Sequence, residues 1–276
     1  MSKCKYCGEA AGIFKKQHRE CQVRYEVGWE AMVTRAMGSL VSGSGFDVLE
    51  TELQKTAEDS HVSPEHIRTA LARAWQRSVD QFLEDQLLSE QEEEKLQTFR
   101  ERFELPQEKL DEAGALTRVV KAATLRDLAN GKTPTRVNIE GALPFNLQKG
   151  ECLVWVFQNV AYLTEKSRTV YEGRSSGMSF RIARGVYYRV GAFKGYPKTS
   201  TFTIQEDTGV LGLTTKHVYF AGLRKAFRIA YAKIVAVKPY SDGIGIQKDG
   251  VNSKPIVFTT GDGWFTCNLI NGLSHL

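Results

Sequence analysis

Apolar positions divide the chain into a part that repeats at helical spacing and a part that runs in short blocks. Val23, Val27, Trp29, Ala31, Met32, Val33 and Met37 recur three and four apart, which predicts a helix from about Cys21 through Leu40, ended by Ser42-Gly43-Ser44-Gly45. Ser63-Pro64-Glu65 opens another such pattern, with serine at the cap and proline in the first turn, ahead of Ile67, Leu71, Ala74, Trp75, Val79 and Phe82. After a break at Asp85 to Ser89, Leu96, Phe99 and Phe103 predict a helix that stops at Leu105-Pro106. Leu116, Val119, Val120, Ala123, Leu125 and Leu128 predict one more, ending before Gly131.

From Cys152 onward the period changes. Between Thr208 and Gly245 the apolar residues fall into brief runs separated by Gly222, the turn Leu223 to Lys225, and Ser241-Asp242-Gly243, the punctuation of consecutive antiparallel strands. Candidate strands lie near 152–163, 167–172, 178–189, 200–206, 209–213, 216–221, 226–231, 234–239, 243–248 and 254–260, a count that leaves open which of them are separate strands and which are halves of bent ones. In the tail, Trp264, Cys267, Leu269 or Ile270, and Leu273 return to helical spacing, with Trp264 expected as a buried anchor. The expected fold class is α+β, divided into residues 1–45, a helical bundle over 46–135, and an antiparallel sheet over 136–276.

Composition is that of an ordinary globular chain, 42% hydrophobic and 25% charged, which excludes a disordered or fibrous class. No signal-peptide pattern opens the sequence, and the apolar run Leu153 to Leu163 is too short to span a bilayer, so the expected location is cytoplasmic. The net charge of +5 is unevenly spread: residues 51–135 carry 12 Lys and Arg against 17 Asp and Glu, and residues 136–276 carry 18 against 9. Either the acidic and basic parts dock on each other, or the basic part faces an anionic partner.

Three of the five cysteines crowd into the first 21 residues, a distribution that favours metal binding over a disulfide framework. Cys4-x2-Cys7 followed by Gly8 reads as a zinc knuckle, and His18-x2-Cys21 puts two more donors on one face of a helix's first turn. With a short hairpin from Ala10 to Lys16 between them, this resembles a treble-clef finger. Four protein ligands leave no open coordination position, so the expected Zn2+ is structural. On this reading, Cys4→Ser melts the first 40 or so residues.

The ordered motifs Gly212-Leu213-Thr214-Thr215-Lys216-His217-Val218-Tyr219-Phe220 and Phe227 to Ile234, ending in Tyr240-Ser241-Asp242-Gly243-Ile244, resemble bacterial PH-like and GRAM-type domains. The opening Lys149-Gly150-Glu151 is similar to the way those domains begin. The resemblance implies a C-terminal PH-like antiparallel β-barrel, capped by a helix and used for binding. Phe82 to Glu93 resembles a helix-turn-helix of TerB-like domains, which implies a bacterial setting of stress response or phage defence.

Basic residues of the C-terminal part supply the candidate anionic-ligand positions: Lys166, Arg168 and Arg174 around an early turn, and Arg181, Arg184, Arg189 and Lys194 interleaved with Tyr187, Tyr188 and Phe193. Strand alternation makes solvated charge the default for them. Other constellations fail. Asp80, Glu84 and Asp85 lack calcium-loop spacing, and Glu90 to Glu94 reads as a solvated helix start. Gly131-Lys132-Thr133 follows a helix rather than a strand, and His61 and His66 share no helix face. No nucleophile stands with a matching base, His217 lies in a strand, and Cys152 and Cys267 read as small packed groups. The expectation is a non-enzymatic adaptor with a protein partner and no small-molecule cofactor. The competing expectation is a binder of anionic lipid or nucleic acid through the basic part.

Overall fold

The helix-patterned and strand-patterned parts fold as two units, Met1–Arg136 and Val137–Leu276, in the computed structural model. Backbone is described for residues 2–12, 14–137, 141–183, 186–250 and 253–276, and side chains for the same residues except 166–183 and 186–202.

In the first unit, β1 (Ser2–Lys3) pairs with β2 (Ala10–Gly12), so the small hairpin includes the N-terminal residues rather than lying wholly within Ala10 to Lys16. Helix α1 (Arg19–Ser42) is longer than its apolar spacing predicts, and it stops where Gly43, at φ 72°, turns its N–H back to the Leu40 and Ser39 carbonyls. Its far half enters the core through Met32, Val33, Ala36 and Leu40. Helix α2 (Phe46–Ser60) buries Leu49, Leu53 and Ala57 at four-residue spacing. The two helices approach closely because Gly28 has no side chain: a Cβ there would lie 2.0 Å from Ser60 Oγ.

Helix α3 (Pro64–Phe82) starts at the Ser-Pro signal, although the Ser63 side chain makes no capping bond. Helix α4 (Glu90–Arg102) has a full capping box between Ser89 and Glu92, and acidic residues occupy its positive end. A five-residue helix α5 (Gln107–Asp111) follows Pro106, and α6 (Ala115–Ala129) completes the bundle. Trp75 and Phe99 are fully buried at its centre, and the Trp75 indole N–H donates to the Leu96 carbonyl at 3.0 Å.

The second unit is one antiparallel sheet plus a helix. Its strands are β3 (Leu153–Ala183), β4 (Val186–Thr214), β5 (His217–Gly222), β6 (Ala226–Ala230), β7 (Ile234–Pro239), β8 (Ile244–Lys248) and β9 (Ile256–Thr259). They lie in the order β6-β5-β4-β3-β9-β8-β7. This corrects the expected closed barrel. β6 and β7 form the two margins, and a 3₁₀ turn, Tyr231–Lys233, links them without any ladder between them among the described residues. A pattern of short apolar runs cannot tell a strand that pairs with its predecessor from one that turns away.

A second correction concerns the candidate strands between 152 and 213, which merge into the two long strands β3 and β4 of a single hairpin. A third concerns α7 (Gly263–Ser274): Asp262 caps it by accepting from the Phe265 N–H, which sets its register so that Phe265, Leu269, Ile270 and Leu273 face inward. Phe265 packs against the Trp155 ring at 4.7 Å, whereas Trp264, the expected anchor, is 55% exposed. Cys152, expected to pack, is also exposed, because it precedes β3.

One buried carboxylate ties the entry of β3 to the turn between β4 and β5. Glu151 Oε1 takes bonds from the Thr214 hydroxyl and, at 2.9 Å, from His217 Nδ1, while Oε2 accepts from the Tyr219 hydroxyl and the Gln148 N–H, each at 2.8 Å. Phe145 lies stacked on Tyr219 and fills the space over Gly212, where a Cβ would come within 2.3 Å of its ring. Burial alone pushes the Glu151 carboxyl up, but the hydroxyl, N–H and imidazole donors outweigh it and hold the pKa at about 2. With a folded pKa below the ordinary value, its contribution is full above about pH 4.5 and disappears as pH falls through about 2; it amounts to about 3 kcal/mol. Glu151→Gln is therefore expected to lose about that much stability at neutral pH and to flatten the acid limb of a urea-unfolding series between pH 5 and 2, as followed by far-ultraviolet circular dichroism.

Candidate metal centre

Local chain geometry brings Cys4, Cys7, His18 and Cys21 to one point. Cys4 leaves β1 and starts a tight turn, held by its N–H to the Glu9 carbonyl at 2.7 Å and by the Gly8 N–H to its own carbonyl at 2.9 Å. That turn returns Cys7 to the same side. The loop after β2 is fastened by the Lys5 N–H to the Lys16 carbonyl at 3.0 Å, and it delivers His18 as the capping residue of α1. Cys21 then lies in the first turn of the helix, three residues on, on the same face.

The four donor atoms all lie within 4.8 Å of one another, close enough to hold one metal ion. His18 Nδ1 stands 3.4 Å from Cys7 Sγ and 3.6 Å from Cys21 Sγ. Its other nitrogen, Nε2, is 3.2 Å from the Ala10 carbonyl. An imidazole that donates from Nε2 to a carbonyl keeps its Nδ1 lone pair for a metal, the usual second-layer arrangement of a metal-bound histidine. The Ala10 carbonyl has no signature in the sequence, because a backbone acceptor looks the same at every residue.

The thiols differ in their surroundings. Burial pushes Cys4 up, but the N–H groups of Cys7, His18 and Tyr6 point at its sulfur and lower its pKa to about 6. Cys21 is pushed up to about 11, first by burial and then by the neighbouring Cys7 and Cys4 sulfurs. Three sulfurs this close resist full ionisation by themselves, and a cation among them removes that resistance. The finger rests on the bundle through Tyr6, whose ring lies 4.9 Å from that of Tyr25; the Tyr25 hydroxyl in turn lies 3.0 Å from His66 Nδ1.

The other predicted positions fare differently. The side chains of Lys166, Arg168, Arg174, Arg181, Arg189 and Lys194 lie outside the described residues, and Arg184 lies outside them altogether. Lys132 pairs with Glu90 at 2.9 Å rather than facing a phosphate loop. It borders a cleft of about 600 Å³ where Arg126 and Arg136 are matched by Glu93 and Asp127, an internally neutralised fastening of residues 126–136. No helix is long and apolar enough to cross a membrane among the described residues.

No family model matches the chain, and no curated protein matches it.

Removing one donor leaves three and opens the site. In Cys7→Ser, bound metal is expected to fall from about one ion per chain to nearly none by elemental analysis. The helical circular-dichroism loss should be confined to the finger and the first turns of α1, because from Met32 onward the bundle core holds that helix. A loss extending to all of α1 would show that the metal, and not the core, supports it.

Proposed function

We propose that this chain is a non-enzymatic adaptor, built from a zinc-stabilised treble-clef-like finger on a helical bundle and a PH-like sheet module. The observation that carries the reading is the closed donor set. For Zn–S bonds of ~2.3 Å and a Zn–N bond of ~2.0 Å, a tetrahedral edge between sulfur and nitrogen is about 3.5 Å. The separations of 3.4 and 3.6 Å around His18 Nδ1 fit that edge. Three thiolates and one imidazole are a donor set suited to zinc, and with all four corners filled by protein no site remains for water or substrate. The metal's contribution is then to order a segment that has no core of its own.

The sheet module supports the second half of the reading. Four strands in hairpin succession, three more added through β9 beside β3, and a C-terminal helix packed on the sheet keep the meander and helix of the PH-like reading, although the sheet stays open between β6 and β7. The TerB-like resemblance over Phe82 to Glu93, which spans the turn between α3 and α4, is the ground for reading a bacterial stress-response or phage-defence setting. Large apolar side chains stand exposed: Val23 and Val27 one turn apart on α1, Phe14 beside the metal centre, and Trp264 on α7. Side chains of this kind anchor protein interfaces.

The test is affinity purification of the full chain from its native host after nuclease and mild detergent treatment, with zinc measured in the same eluate. A stoichiometric protein partner, lost from Val23→Glu/Val27→Glu while zinc is retained, is the expected result. Recovery of the bait alone would sink the adaptor reading.

A further inference from the structure

The long hairpin of the second unit has a property that the linear sequence hides. β3 is joined to β9 only at residues 161–164, and β4 to β5 only at 209–213. Between the pairs Lys166↔Phe202 and Ala183↔Val186 the hairpin is therefore two strands wide, with both edges unpaired among the described residues. At ~3.3 Å per residue this ribbon is about 60 Å long. A two-stranded ribbon has no second layer, and alone in water it is marginally stable.

The ribbon also holds the chain's positive charge. Residues 166–202 carry eight Lys and Arg against one Glu, while the rest of the chain is slightly acidic. The register runs without a shift from Leu163 to Arg181, so paired positions share a face and alternate along it. Lys166, Arg168, Arg174, Lys194 and Lys198 fall on one face together with Glu172, whereas Arg181 and Arg189 fall on the other, and Arg174 is paired with Lys194. Like charges in directly opposed positions destabilise a hairpin. The opposite face has the glycine pairs Gly173↔Gly195 and Gly177↔Gly191, positions where another backbone can come close.

Near the ribbon's root, the β5–β6 turn is locked by Asp207, which accepts from the Arg224 and Lys225 N–H groups at 2.7 and 2.8 Å. It presents Arg224 at the same end of the sheet.

From this placement we infer that the ribbon is a binding arm for double-helical DNA, with its cation-bearing face turned to the phosphates. Five of the eight cations are strung over ~26 Å of the shaft and Arg181 and Arg189 lie nearer the tip, so a partner that engages them together must run alongside the ribbon. A duplex groove does that: its major groove, ~12 Å wide, admits a two-stranded β-ribbon. A bilayer reached by the tip would leave the shaft cations in water. A duplex also supplies the missing second layer. The inference stands apart from the adaptor reading, since it needs neither a protein partner nor the metal.

The test uses the full zinc-loaded chain, a fluorescent 30-base-pair duplex, and anisotropy titrations from 50 to 300 mM NaCl. Wild type is expected to bind with affinity falling steeply with salt, at ~0.9 in the log–log slope per phosphate neutralised. Arg174→Glu/Lys194→Glu keeps a like-charge pair at the two opposed positions. It is expected to weaken binding more than tenfold at 100 mM and to reduce the slope by about 2. A second variant, in which an Asn-Gly turn closes Glu165 onto Thr203 in place of residues 166–202, removes the arm without disturbing the rest of the sheet and is expected to abolish binding. The inference is overturned if wild type ignores the duplex at 50 mM salt, or if either variant binds it as wild type does. Arm-dependent binding to phosphatidylserine vesicles without duplex binding would instead assign the ribbon to membranes.

Discussion

The convergence of Cys4, Cys7, His18 and Cys21 is the constraint on which the N-terminal end of the first unit depends. Before Met32 the chain buries few large side chains, and the ordering entropy of that stretch, roughly 1–2 kcal/mol per residue, has no apolar burial to offset it. A metal ion bound at one point replaces a core that some 25 residues cannot build. Because His18 caps α1 and Cys21 sits in its first turn, the same ion also fixes where that helix begins. The helix is thus held at both ends by different physics, coordination at its start and close packing from Met32 onward. The Tyr6–Tyr25–His66 contacts bridge the two.

In the sheet unit the comparable problem, where β3 starts, is solved without a metal. Burying a carboxylate is costly unless its lone pairs are used, and Glu151 uses them on donors from Gln148, Thr214, His217 and Tyr219. Those donors come from the residues before β3, from the end of β4 and from β5, so one side chain sets both the entry point and the position of the β4–β5 turn. The Thr214 hydroxyl also takes the His217 N–H at 2.9 Å, which closes the turn itself. Removing the carboxylate would unlock three segments together.

The local features of both units were legible in the sequence, and the long-range ones were not. Cys-x2-Cys and His-x2-Cys spacing is read directly because a turn and a helix start fix it within a few residues. Ser-Pro at the start of α3, the acidic start of α4, and β7 as residues 234–239 are local in the same sense. The long hairpin was hidden because Gly173, Gly177, Gly191, Gly195 and Pro197 punctuate it as turns do, and only the cross-strand register shows that four of these glycines face one another in pairs. Sheet closure depends on whether Ala230 to Ile234 makes a hairpin or a 3₁₀ turn, and apolar spacing carries no information about that. Trp264 was misjudged by one position: helical spacing suits Trp264 nearly as well as Phe265, and the Asp262 cap decides between them.

The packed parts of both units and the ribbon treat charge in opposite ways. Glu151, Asp127 and Glu93 are buried or half-buried, and each is answered by donors or cations of its own unit, so their charge is spent on holding the fold. The ribbon's register does the reverse, setting Arg174 against Lys194 with Glu172 as the only acid in the segment. Folding gains nothing from such an opposition, and hairpin pairing is weakened by it. A sequence under selection for stability alone would lose that pair at little cost, since a single exposed substitution to an acid would turn the repulsion into an attraction of a few tenths of a kcal/mol. Its presence on a ribbon without a second layer is accounted for by a ligand that supplies more countercharge than the single Glu172 of the same face can.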